Sequence, residues 1–286
     1  MSTVAAALRR WSPILAPFFT VATLIICIVI TKTKDIYVGS LAWPYFSDMG
    51  RDDPAYYVFA TGLCLTALFL ALTWIFNYQH QIDMLTQPNS KATPALSRCS
   101  FAASAMGAVA TIGLPILSIY RVSYDHPEIH NYAAYFFFIF QAAAVLLNTY
   151  VTRRILVLAT SSPHGTFPVG GLRTTWRIQL VFALCFLVAF VLYIPVGLAI
   201  VCSFERLTIV KCLSEGLGAD YCTTTMRFDD TYTKLYDYSN CGGINQLRSA
   251  SQLVCILTLV GYALSFVTHE EVAQTGHSIA APSAAV

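Results

Sequence analysis

The chain has 286 residues, 56% of them hydrophobic and only 11% charged, with a formal net charge of +2. A soluble domain carries about 25% charged residues, so this composition excludes an ordinary soluble enzyme and gives no reason to expect a nucleic-acid partner. The charged residues leave six windows of 21 to 29 residues without formal charge. A helix crossing a bilayer needs about 20 mainly apolar residues, because a backbone without water must satisfy its own hydrogen bonds.

The windows run from Trp11 to Thr31, Pro54 to Ile82, Cys99 to Tyr120, Ile129 to Thr152, Ile178 to Phe204 and Ser249 to His269. They predict an all-α polytopic bundle of six transmembrane helices, spanning about 11–31, 55–76, 99–120, 131–151, 178–203 and 249–269. Residues 1–10 then form a cytosolic N-terminus and residues 270–286, rich in Ala and Ser, a disordered cytosolic tail. The first window follows Arg9-Arg10 like a signal peptide, but its apolar run is too long for one, so it reads as a retained span.

The loop after the first span reads Trp43-Pro44-Tyr45-Phe46-Ser47-Asp48-Met49-Gly50, and Asp53-Pro54 behind it suits a helix start capped by the carboxylate. Ser47-Asp48-x-Gly50 has turn chemistry, with Gly50 expected in a left-handed conformation. In the third span the small residues from Ala102 to Ala108 allow close helix approach, and Pro115 is expected to kink it. In the fourth, Gln141 and Asn148 share one face; they read as helix-packing contacts, with a ligand or headgroup contact as the alternative. The stretch from Ile155 to Leu172, with its Gly and Pro, reads as a loop, and around it Arg153, Arg154, Arg173 and Arg177 form a basic cytosolic patch.

Lys and Arg counting decides little about orientation: with the N-terminus in the cytosol, eight fall inside and nine outside. Cysteines cast the independent vote. Cys202, Cys212, Cys222 and Cys241 cluster at the fifth loop, and disulfides persist in an oxidising lumen or outside the cell, which predicts N-in and C-in. Four thiols leave three pairings open.

Phosphate loops, nucleophile elbows and zinc-protease helices are absent from the sequence. His126 and His130 have a metal-ligand spacing, but Pro127 stands between them and the carboxylate is misplaced, so no metal and no cofactor are expected. The span interiors carry no Asp, Glu, Lys or Arg, which disfavours ion-coupled transport.

The string Pro44-Tyr45-Phe46-Ser47-Asp48-Met49-Gly50 with Pro54 behind it resembles the signature region of the Frag/DRAM/Sfk family of six-pass membrane proteins, and His130 followed by Ala133, Ala134 and Phe137 fits its fourth-span entry. Phe46 replaces the family's usual aliphatic residue, and the fifth loop is unusually long and cysteine-bearing. The resemblance implies a non-enzymatic regulator of lipid homeostasis or autophagy in an endomembrane, lysosomal or plasma membrane. Its partners would be membrane lipids and a lipid kinase complex or other membrane protein. The alternative it implies is an enzyme or accessory factor that remodels glycosylphosphatidylinositol lipid anchors. On the first reading Trp43, Pro44, Tyr45, Ser47, Asp48, Gly50 and His130 are the candidate headgroup-facing site; on the second, Ser47, Asp48 and His130 are the candidate nucleophile or acid–base groups.

Overall fold

The computed structural model describes residues 3–87, 92–124, 126–161, 169–195 and 205–268. It contains six helical segments long and apolar enough to cross a membrane, Thr3–Thr33, Ala55–Leu85, Pro94–Ile119, Pro127–Thr160, Val169–Tyr193 and Ser239–Val267. The expected six-helix membrane bundle is therefore present. Cys202, the far end of the fifth span and the tail lie outside the described residues.

The first span is α1 (Thr3–Thr33), and a one-turn helix, α2 (Phe46–Met49), precedes the second, α3 (Ala55–Leu85). Asp53 does not cap α3: Pro54 holds the cap position without a side-chain bond, and Asp53 instead pairs with Arg121 at 3.4 Å. The third span is broken into α4 (Pro94–Ala110) and α5 (Gly113–Ile119). The break lies one turn before Pro115, where a proline ring crowds the preceding carbonyl and supplies no N–H. Thr111 and Ile112 tighten to the carbonyls of Ala108 and Val109 there.

The fourth span, α6 (Pro127–Thr160), and the fifth, α7 (Val169–Tyr193), both reach into the segment expected to be loop. Only residues 161–168 separate them, because Ile155, Leu156, Ala159 and Leu172 bury an apolar cluster with Met84, Leu85 and Leu96 that extends the helices at this end. The four arginines consequently sit exposed on the helices rather than in a loop, with Arg153 stacked 4.6 Å from the Trp176 ring.

Opposite that end, residues 205–241 fold into a small cap that adds a two-stranded sheet to the all-α bundle. Strand β1 (Glu205–Thr208) pairs antiparallel with β2 (Tyr232–Asp237), in the register Glu205↔Asp237 and Thr208↔Tyr232, and α8 (Ile209–Ser214) follows β1. A segment this short cannot bury a large core alone. Leu207, Met226 and Leu235 are fully buried with the Cys212–Cys222 disulfide, and Tyr37 and Tyr124 from two other loops pack against them. The chain then returns through α9 (Gly242–Leu264).

The small residues of α4 do what their size suggests. A Cβ on Gly107 would lie 2.3 Å from the Trp74 indole of α3, and the Gly107 carbonyl accepts from Gln141 Nε2 at 3.0 Å. Gly107→Leu is expected to force α3 and α4 apart at a cost of about 1–3 kcal/mol, the usual range for overpacking. Gly170, with nothing within 4 Å of its virtual Cβ, is the control: Gly170→Ala should leave the thermal midpoint in detergent unchanged while Gly107→Leu lowers it.

Candidate functional site

The signature loop is built into the cap rather than laid on its surface. Phe46–Met49 forms α2 instead of an open turn, and Gly50 has φ −95°, so its role is not a left-handed bend. Glycine is required there because a Cβ would meet the Phe59 ring at 2.3 Å. The Phe46 amide donates to Gln252 Oε1 of α9 at 3.1 Å, which pins α2 over the bundle.

Asp48 is 2% exposed. Its Oδ2 accepts from Tyr238 Oη at 3.1 Å, and its Oδ1 lies 4.0 Å from Arg51 Nη1. Arg51, also 2% exposed, donates from Nε and Nη2 to Asp52 Oδ2 at 3.0 and 2.8 Å and from Nη2 to the Tyr37 carbonyl at 2.7 Å. Asp52 accepts in addition from Tyr124 Oη at 3.2 Å and Tyr221 Oη at 2.9 Å. One guanidinium and two carboxylates thus tie three loops together. Burial raises the Asp48 carboxyl above the ordinary range, with Arg51 and Tyr238 pulling against it. Burial opposes the Arg51 charge, yet Asp52 and Asp48 hold it above its ordinary value. Burial and then Asp237 push the Tyr37 phenol up to about 12, and burial likewise raises Tyr221 and Tyr238, so these last two stay protonated and donate to Asp52 and Asp48.

This arrangement corrects the headgroup-facing assignment for Tyr45, Asp48 and Gly50, all three buried. Tyr45 and Asp48 are buried, Tyr45 packing 5.5 Å from the Tyr238 ring, and they hold the cap together. Pro44 is half-buried, and Trp43 is 63% exposed with its backbone fixed by Gln246, placing the indole at the surface. An exposed Trp at a span's end suits the membrane–water boundary.

The cap's acid response sets Asp237 and Asp229, both held below the ordinary carboxyl range, against Asp48. Burial works against the Asp237 charge, but the bond from Lys211 Nζ at 2.5 Å and that from the Ser239 amide outweigh it and hold the group below the ordinary carboxyl range. A depressed carboxyl contributes stability that is complete above the ordinary value and lost as pH falls through the folded one. Asp48, raised, has the opposite sign: its contribution grows as pH falls and offsets part of that loss. Protease resistance of the cap is expected to fall as pH drops from about 5 to about 3, and Asp237→Asn should flatten that decline.

Beneath α2 lies a narrow apolar cleft lined by α1, α3, α5, α6 and α9. Phe59, Leu70, Phe137 and Leu259 are representative of its walls, and no Asp, Glu, Lys or Arg lines it. Its polar groups include Ser47 and His130 at the cap end. His130 Nδ1 stands 2.7 Å from the Leu117 carbonyl and 2.9 Å from that of Tyr120. Both partners only accept, so Nδ1 carries the proton, and this bond closes the free C-terminal carbonyls of α5. His126 is exposed beside Glu128, and the described residues contain no group of three metal-binding side chains.

Toward the opposite end, Gln141 and Asn148 are both fully buried. Asn148 Oδ1 accepts from Asn77 Nδ2 at 2.7 Å and Gln81 Nε2 at 3.0 Å, and its Nδ2 donates to Tyr262 Oη at 2.8 Å. These contacts join α3, α6 and α9, the helix-packing role. Cys212 and Cys222 form a disulfide, and Cys241 is also disulfide-bonded.

Sequence reasoning missed Arg51, Asp52, Tyr238 and Gln252. The first two carried a signal, charges beside the signature string that lie 2% exposed and half-buried in the fold, but the other two follow it by 190 and 206 positions in their contacts and left none.

A capped six-helix bundle with an apolar interior cleft defines a multi-pass membrane protein. A family model described as the Frag1/DRAM/Sfk1/Cwh43P N-terminal domain matches residues 9–268, and the chain belongs to that family. No curated protein and no solved structure matches it.

Proposed function

We propose that the chain is a non-catalytic regulator of membrane lipid balance that acts by holding lipid hydrocarbon in the cleft beneath its cap. The observation that carries this reading is the cleft itself: charge-free walls drawn from five helices, with Ser47 and His130 at its cap end. Hydrocarbon released into such a space loses no hydrogen bond. The cap faces the lumen or the outside, a placement supported by its Cys212–Cys222 disulfide. Both termini then lie in the cytosol, and Arg153, Arg154, Arg173 and Arg177 face the anionic leaflet, each adding about 1 kcal/mol of attraction near the surface. That patch is where a lipid kinase complex or another membrane protein would meet the bundle. Lipid homeostasis and autophagy are the processes that the family resemblance suggests.

The test compares lipid composition and leaflet distribution in cells lacking the protein, rescued with the wild-type chain or with Ala134→Phe, which fills the cleft from α6. Changed leaflet distribution or phosphoinositide level, corrected by wild type and not by Ala134→Phe, is the expected result. Full rescue by a folded Ala134→Phe chain would overturn the reading.

One observation favours a second reading, an enzyme of lipid-anchor remodelling: Ser47 and His130 line the same cleft, as a nucleophile and base would. No hydrogen bond joins them, and Asp48 is engaged with Tyr238 and Arg51 rather than His130. Accumulation of one precursor lipid in the deficient cells would favour this reading over the first.

A further inference from the structure

Resting on the lipid-holding reading, we propose that the cleft takes an uncharged lipid with a hydroxyl head from the cap-side leaflet, its hydroxyl donating to His130 Nε2 and accepting from Ser47 Oγ.

The head chemistry follows from which polar atoms at the cap end are already used. His130 donates from Nδ1 to two backbone carbonyls, so a neutral ring keeps a lone pair on Nε2. Nε2 makes no hydrogen bond among the described residues and is not among the buried atoms sealed without a partner, and the same is true of Ser47 Oγ. An acceptor and a hydroxyl therefore line the cap end of a cleft whose other polar residues, Thr20, Thr66 and Gln252, are already hydrogen-bonded within the chain. A hydroxyl satisfies both at once, because it donates one bond and accepts others. A carboxylate or phosphate would enter a cleft with no Lys or Arg on its wall, and an ether or ester oxygen has no proton for Nε2.

The depth sets the leaflet. Phe59 and Leu70 both line the cleft and are eleven residues apart on α3, about 16 Å at 1.5 Å per residue, as are Gln252 and Ala263 on α9. That is about half of a hydrocarbon core near 30 Å thick, so the cleft matches the depth of one leaflet. Because α2 covers the cap end through Phe46 and Ser47, with Gln252 holding the Phe46 amide, the space favours a small head over a bulky one.

The full chain in lipid nanodiscs would be photolabelled with four tail-diazirine probes: octadecenol, its methyl ether, the matching fatty acid, and a sterol. The labelled residues are then mapped by peptide sequencing. Octadecenol or the sterol should label cleft residues such as Phe137, Leu259 and Ala263, and which of the two does so identifies a flexible chain or a fused ring as the natural body. The ether and the acid should label there roughly tenfold less, the value of about one lost hydrogen bond to a buried acceptor. Ser47→Ala should weaken the alcohol's cleft labelling severalfold and lower the ether's residual labelling as well, because both oxygens can accept from Ser47 Oγ, while the thermal midpoint stays at the wild-type value, a combination that misfolding would not produce. This variant is preferred to His130→Phe, since His130 also closes α5. Equal cleft labelling by alcohol and ether overturns the head assignment and leaves the lipid-holding reading standing. Labelling confined to outward residues such as Val181, Leu184 and Val188 overturns both.

Discussion

Arg51→Leu is expected to release the cap from the bundle, at a cost of about 3–5 kcal/mol, the usual penalty for breaking a buried charge cluster by removing one member. The substitution leaves Asp48 buried without the cation that faces it and Asp52 with two phenols in place of a guanidinium. It also removes the donor to the Tyr37 carbonyl, so three loops lose a shared partner. The measurement is limited proteolysis of residues 205–241 together with the thermal midpoint, and both should drop. Replacing the cluster as a whole, Arg51→Met with Asp48→Asn and Asp52→Asn, should recover most of the loss because no unpaired charge remains. A single variant as protease-resistant as wild type would show that the cap is held by its apolar contacts alone.

Asn148→Leu is expected to have the second largest effect, from the opposite end of the bundle. Three hydrogen bonds converge on this amide, two accepted from Asn77 and Gln81 and one donated to Tyr262. Interhelical bonds in membranes are worth about 0.6 kcal/mol on average and at most about 1.7, so their joint loss is about 2–4 kcal/mol. Gln81 remains partly satisfied by Ser100 Oγ at 2.7 Å and Tyr262 by the Val145 carbonyl at 3.2 Å, which keeps the figure below the maximum. Thermal unfolding in detergent should show the drop, and Leu146→Ala on the exposed face of the same helix should not. Equal behaviour of the two variants would remove the amide cluster as a source of stability.

The spans were legible because a bilayer imposes one strong rule on composition, and six charge-free windows obey it. The roles of Gln141 and Asn148 were legible for the same reason: an amide at that depth must find another helix. The ends of the helices were not, since past the apolar window the chain stays helical wherever a neighbour packs on it, as Leu172 does against the α6 cluster. The cap was the least legible part. Its strands depend on pairing Glu205 with Asp237, and its anchor on Tyr238 reaching Asp48, contacts that no local pattern announces. Gly50 was singled out correctly but for the wrong cause: a turn signal and a tight contact with Phe59 both ask for glycine. The cleft was invisible because its lining residues are spread over five spans, and only the fold brings Ser47 and His130 to one opening.

The most direct measurement is the lipid that stays with the chain through purification in mild detergent, read by native mass spectrometry for wild type and for Ala134→Phe. The account predicts one bound, uncharged lipid per wild-type chain and none on a folded Ala134→Phe chain. A wild-type chain free of lipid, or the same lipid retained when the cleft is filled, would contradict it.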